Sequence, residues 1–179
     1  MVGDAPRGTV GGTYTLIAAL PEPIGIDVGA LGERRVPAGA YAYTGSALGS
    51  GGFSRVHRHR RTARGEHDVR HWHVDYLLGQ PSARIDRVVH SPGIDAECAI
   101  ASELPDGPID GFGASDCSCS SHLSWLADPE GLIERVVRTH ERAARTITTN
   151  GVEASEPSVD SESTTESAPT TGCSTDGEP

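Results

Sequence analysis

Two stretches decide the fold: residues 11–20, GGTYTLIAAL, and residues 39–45, GAYAYTG. Both are rich in β-branched, aromatic and small apolar side chains, and glycines bracket them, so each reads as a strand. Between them, residues 24–28 form a short alternating run. Residues 33–36 are placed to pair with it across Gly29-Ala30-Leu31-Gly32, as a hairpin inserted between the two principal strands.

Working outward, Phe53 begins a helix that runs to about Arg64, after a Ser/Gly loop at residues 46–52. Residues 72–78 (WHVDYLL) read as a short buried helix stopped by Gly79 and Pro81, and residues 85–89 are β-like. Residues 95–104 carry a helical pattern, with Ala96, Ala99 and Ile100 on one side and Pro105 as the stop. Residues 123–126 read as a short strand. Asp128-Pro129 is a helix start, with Asp as the cap and Pro at the first helical position. Leu132, Ile133, Val136, Val137, His140, Ala143, Ala144 and Ile147 then share one helix face, suited to packing on the domain or to pairing two copies. The fold class is α+β: a small central antiparallel sheet flanked by helices, with an inserted hairpin and an extra C-terminal helix. The division expected is an extension at residues 1–10, a domain at 11–127, an amphipathic helix at 128–149 and a disordered acidic tail at 150–179.

Composition narrows the classes. The chain has 179 residues, 15 Arg with no Lys, 25 acids and a net charge of −10. Acidity without Lys fits a protein kept soluble in high salt, or a GC-rich genome. Seven of the acids and no base fall in residues 150–179, so the remainder carries only −3. No apolar run approaches the ~18 residues of a membrane span. The N-terminus lacks the basic and apolar segments of a secretory signal. Cys98, Cys117, Cys119 and Cys173 show no disulfide framework. A reduced, cytoplasmic protein that does not engage membranes is expected.

Residues 53–73 depart from the acidic average, with six Arg and five His against Glu66 and Asp68. Arg58, Arg60, Arg61 and Arg64 suit an anionic ligand such as nucleic-acid phosphate; a solvated helix face balanced by distant carboxylates is the alternative. Tyr14 and Tyr43 fall on strands expected to be neighbours, Arg55 and His59 share a helix face, and Glu97 opens a later helix. Phosphodiester cleavage needs a base or positioned water, an in-line nucleophile and cations to stabilise the extra charge, and these residue types supply them. Each also has a structural alternative: tyrosines pack in strands, Arg55 is one cation among several, and Glu97 suits a helix N-terminus.

In order and spacing, Gly12-Thr13-Tyr14, Tyr43-Thr44-Gly45 and Arg55-Val56-His57-Arg58-His59 resemble the motifs of the GIY-YIG nuclease superfamily. Thr13 and Thr44 stand where the family's name has isoleucine, at positions expected mainly to pack. Residues 28–32 (VGALG), 37–39 (PAG) and 72–78, Glu97-Cys98, and residues 113–119 (GASDCSC) resemble more closely a small, mostly archaeal branch of GIY-YIG-like domains of unassigned function. The resemblance covers roughly residues 11–126. It implies a metal-dependent endonuclease acting on DNA, in repair or processing, with a protein partner supplying specificity. It further implies Tyr14 as general base or water-positioning group, Tyr43 orienting nucleophile or phosphate, and Arg55 stabilising the phosphorane. His59 would support Tyr14 or the leaving group, and Glu97 would bind Mg²⁺ or Mn²⁺. A tyrosine titrating near ~10 needs neighbouring cations to serve as a base, and Arg55 and the metal are the expected source.

A second cluster, Cys117, Cys119 and His122, admits two readings. It ligates zinc with a fourth ligand from Cys98, His71 or His73, or the cysteines pack while Asp116 and His122 hydrogen-bond a loop. On the WHVD segment, core packing by Trp72 with supporting polar roles for His73 and Asp75 is expected. The rivals to a nuclease are a non-cleaving nucleic-acid-binding module and a zinc-stabilised interaction domain.

Overall fold

The computed structural model describes residues 11–152, with side chains as far as Thr146. The extension at residues 1–10, and the expected tail from residue 153 on with Cys173, lie outside the described residues, while the closing helix runs to Val152, three residues past its expected end at 149. The elements run β1 (Gly12–Leu20), β2 (Ile24–Asp27), a 3-10 turn (Gly29–Leu31), β3 (Glu33–Val36), β4 (Gly39–Ser46), α1 (Ser54–Ala63), α2 (His73–Leu78), β5 (Arg84–Pro92), α3 (Glu97–Glu103), β6 (Leu123–Leu126) and α4 (Pro129–Val152).

The main sheet has the order β5-β1-β4-β6, every pairing antiparallel, and β2-β3 form a separate two-stranded hairpin. The fold class read from the sequence is the one observed. β1 and β4 are central, in a register that sets Tyr14 opposite Gly45 and Leu16 opposite Tyr43. Almost every residue of β1 is buried, as required of a strand covered on both faces. Because side chains alternate along a strand, each face has its own core. Tyr14, Leu16, Ala18, Tyr41 and Tyr43 pack with Phe53, just before α1, with Val56 of α1, with Val74 and Leu77 of α2, and with the hairpin. Ile17, Ala40, Ala42 and Val89 pack with Ile100 of α3 and with Leu132 and Val136 of α4.

The closing helix therefore packs on the sheet. Asp128 caps it as its sequence predicts, its Oδ1 and Oδ2 accepting from the backbone N–H groups of Glu130 and Gly131 at 3.2 and 3.1 Å. Thr13 and Thr44 do more than fill space. Thr13 Oγ1 donates to Ile94 O at 2.8 Å and accepts from Ala96 N at 2.9 Å, tying β1 to the start of α3. Thr44 Oγ1 lies 3.0 Å from Thr15 Oγ1, which contacts His140 Nε2 of α4 at 2.9 Å, and His140 Nδ1 meets Ser91 Oγ at 2.9 Å.

That network holds a buried histidine between hydroxyls. Burial disfavours the imidazolium and lowers the His140 pKa to about 4 from its ordinary 6.5. The folded protein then resists a proton that the unfolded chain takes up, so His140 contributes stability above pH 6.5 that is lost as the pH falls toward 4. Denaturant titrations should show unfolding free energy dropping across that interval, with a His140 share of at most about 3 kcal/mol. His140→Gln should flatten the decline; an unchanged slope in that variant would exclude His140 as a source.

Candidate functional site

The face of β1 and β4 that carries Tyr14 and Tyr43 opens beside α1 into a cleft of about 360 Å³. Its lining includes Tyr43, Arg55, Trp72, His73, Glu97 and Asp116, drawn from β4, α1, the start of α2, the start of α3 and the loop before β6. A smaller hollow of about 260 Å³, floored by Gly49, Gly51 and Gly52, shares Arg55 and Trp72 with it. Arg55 is anchored through Nη1 to Ser46 O at 2.8 Å. Its guanidinium carbon lies 4.7 Å from the Trp72 ring centroid and that of Arg58 lies at 3.7 Å, so Trp72, half-buried and packed against the core as expected, also sits beside two cations.

Behind the cleft lies a chain of three buried groups. Tyr14 Oη is 3.0 Å from His59 Nε2, and His59 Nδ1 is 3.1 Å from Asp75 Oδ1. Tyr14 reaches across β4 because its partner there is glycine: a Cβ on Gly45 would stand 2.6 Å from the phenol oxygen. Asp75 accepts from Arg58 Nη2 at 3.0 and 3.1 Å and from the backbone N–H groups of His71 and Trp72 at 2.9 and 3.1 Å. Burial alone would raise the Asp75 pKa, but these donors outweigh it and hold the carboxyl well below the usual carboxylate range.

The same geometry sets the protons. Burial lowers the His59 pKa against the opposing pull of Asp75, leaving the ring neutral. A carboxylate can only accept, so Nδ1 carries the ring hydrogen and Nε2 accepts from the Tyr14 hydroxyl. Burial, with Tyr43 adding, raises the Tyr14 pKa well above 10, and burial raises that of Tyr43. The cationic help expected from Arg55 is therefore overcome by desolvation; the group able to take a proton from Tyr14 is His59. Tyr14 and His59 are each 1% exposed, and Tyr43, edge-on to His59 with ring centroids 6.4 Å apart, is the tyrosine that lines the cleft. Of the four arginines assigned to phosphate, Arg58 is held by Asp75 and Trp72, Arg61 donates to Glu66 O at 3.3 Å, and Arg61 and Arg64 are exposed. Arg60, on α1, is half-buried.

The cysteine cluster resolves with Cys98 as the fourth member, not His71 or His73. The ligand atoms of Cys98, Cys117, Cys119 and His122 all lie within 4.8 Å of one another. Cys98 Sγ is 3.9 Å and Cys117 Sγ 3.3 Å from His122 Nε2. Three thiols and an imidazole at such spacing could hold a metal ion, and the donor set fits zinc. His73 serves elsewhere, its Nδ1 accepting from Gly113 N at 2.9 Å. On its other side His122 Nδ1 lies 3.3 Å from Glu97 Oε1, an ion-pair contact short of a formed hydrogen bond. Glu97 beside it pushes the His122 pKa up to about 9 against the opposing effect of burial, a proton that a metal at Nε2 would have to displace.

The sequence left the part of Asp75 in the histidine chain unassigned, and the signal was present: WHVD turns Asp75 back onto its own segment's N–H groups while facing α1. Cys98 was one choice among three, because only the fold brings α3 to the loop before β6. Asp75→Asn sets an amide donor against four donors, and should cost about 3 kcal/mol of stability at neutral pH. The depressed Asp75 pKa makes its contribution full above about 4 and lost as the pH falls through the folded value. The gap between variant and wild type in denaturant titrations should thus narrow in acid; a gap independent of pH would rule out this ionised role.

The family model described as a domain of unknown function, DUF123, matches residues 13–145. No curated protein and no solved structure matches the chain. With the match running from β1 into α4 over most of its length, the chain belongs to the DUF123 family.

Proposed function

We propose that this protein is a metal-dependent endonuclease of the GIY-YIG type, hydrolysing phosphodiester bonds in DNA. The observation that carries the reading is the meeting of Tyr43, Arg55 and Glu97 on one cleft, although they come from three elements far apart in the chain. Arg55, fixed by one bond to Ser46 O, has further N–H groups to set against a phosphate that gains charge in the transition state. Tyr43 orients phosphate or water at the cleft wall. Tyr14, His59 and Asp75, hydrogen-bonded in series behind the cleft, position Tyr43 and the helix that carries Arg55.

Glu97 and Asp116 are oxygen donors on the same cleft, and one or two carboxylates with water and phosphate completing the shell suit Mg²⁺ or Mn²⁺. Such an ion, when bound, neutralises charge on the scissile phosphate. The exposed Arg61 and Arg64 extend a cationic surface along α1 for the flanking strand. A partner protein supplies target specificity.

A second reading, a non-cleaving nucleic-acid-binding module, is favoured by one observation: Tyr14 and His59 are almost wholly buried and line no part of the cleft. The two separate in one assay. Labelled single-stranded, duplex, flap and junction DNA are incubated with the full chain, with Mg²⁺ or Mn²⁺ and across a range of KCl. The expected result is metal-dependent cutting that Arg55→Ala lowers about 10²–10³-fold and Tyr14→Phe also lowers. Salt-sensitive binding without cuts on any substrate, intact in Tyr14→Phe, would establish the module instead.

A further inference from the structure

Each carboxylate of the cleft is followed in the chain by a member of the Cys₃His cluster: Glu97 by Cys98, and Asp116 by Cys117. The coincidence joins two features that are otherwise distinct, a hard-donor cleft and a soft-donor knot. We infer that a zinc ion resident on Cys98, Cys117, Cys119 and His122 is the pin that fixes both cleft carboxylates, with Glu97 acting as the outer partner of the zinc-bound imidazole.

The geometry fits on three counts. In a tetrahedral site with Zn–S and Zn–N bonds of ordinary length, ligand atoms are separated by roughly 3.5–3.8 Å. The distances from Nε2 to Cys117 and Cys98, 3.3 and 3.9 Å, bracket that range. The two nitrogens of His122 also face in the required directions, Nε2 toward the thiols and Nδ1 toward Glu97. A metal-bound histidine places its remaining N–H on a carboxylate, which fixes the ring and strengthens the ligand. His122 Nδ1 is buried, with Glu97 Oε1 3.3 Å away and not yet in hydrogen-bonding alignment. Ligation at Nε2 keeps the proton on Nδ1 and gives that bond its direction. Glu97 retains a second carboxylate oxygen for the cleft.

The third count is mechanical. His122 is tied on both sides of its peptide, its N–H to Phe112 O at 2.8 Å and its carbonyl to Thr44 N at 3.0 Å, beside Tyr43. The ion closes the loop at residues 113–121 onto that anchor and onto the first turn of α3. Gly113, at the loop's start, has a positive φ of 76° and offers its N–H to His73 Nδ1, so the loop meets the cleft wall there as well.

The experiment uses the purified full chain and zinc alone, without DNA, so its outcome is independent of whether the protein cleaves anything. Elemental analysis should give one zinc per chain, and cobalt exchanged into the site should show thiolate charge-transfer and tetrahedral d–d absorption that Cys117→Ser and His122→Ala abolish. In competition with a chromophoric chelator, Glu97→Gln should keep the stoichiometry and weaken zinc binding about 10–100-fold, while Glu134→Gln on the exposed face of α4 should match wild type. Removing zinc should speed amide hydrogen exchange at residues 113–121 and the first turn of α3 by at least about tenfold, with the β1-β4 ladder unaffected. A wild-type chain that binds no zinc, a Glu97→Gln variant with wild-type affinity, or exchange indifferent to zinc would each overturn the inference.

Discussion

Everything functional in this molecule hangs on the antiparallel pairing of β1 with β4. That ladder fixes which side chains share a face, and a slip of one residue would leave Tyr14 and Tyr43 on opposite sides of the sheet. In the observed register the tyrosines look toward α1 and α2, while Thr15 and Thr44 look toward α4. Burial on both faces makes the register costly to change, since the large side chains of one core would be exchanged for the smaller ones and the threonines of the other. The site is thus built on the most constrained element of the fold.

On that base, charge is managed by a few buried groups. Asp75 gathers Arg58, His59 and two backbone N–H groups at one carboxylate, and through them settles the orientation of α1 against α2 and the tautomer of His59. The arginine-rich segment is therefore not a uniform cationic surface. Arg58 is spent internally, with Trp72 beneath it, whereas Arg55 is held at the cleft by a single carbonyl. The count of six arginines in residues 53–73 overstates what a ligand would meet.

Local rules carried the sequence reading a long way where the cause is local. The two principal strands, the hairpin between them, the Asp128 cap and the helix after it all follow from residue types within a few positions of one another. Thr13 and Thr44 were read as packing positions because a threonine's hydrogen-bond partner, here Ile94, Ala96 or Thr15, cannot be known before the sheet is assembled. The help that Tyr14 was expected to take from Arg55 falls short for a similar reason: its proton affinity is set first by burial and then by Tyr43, on a neighbouring strand 29 residues away. The cysteine knot falls between the two cases, since CxC and His122 are visible in one stretch while Cys98 joins only through the placement of α3.

The position of α4 bears on how much of the chain makes a self-sufficient object. Leu132 and Val136 cover Ile17, Ala40, Ala42 and Val89, so the helix is the lid of one half of the core. A fragment ending before Pro129 would present a bare, gently twisted apolar plane to water, flanked by the backbone edge of β6. Such a surface is adhesive, and its readiest partner is another copy of itself. Colloidal behaviour, before any assay of chemistry, would separate a fragment cut there from one that keeps the helix.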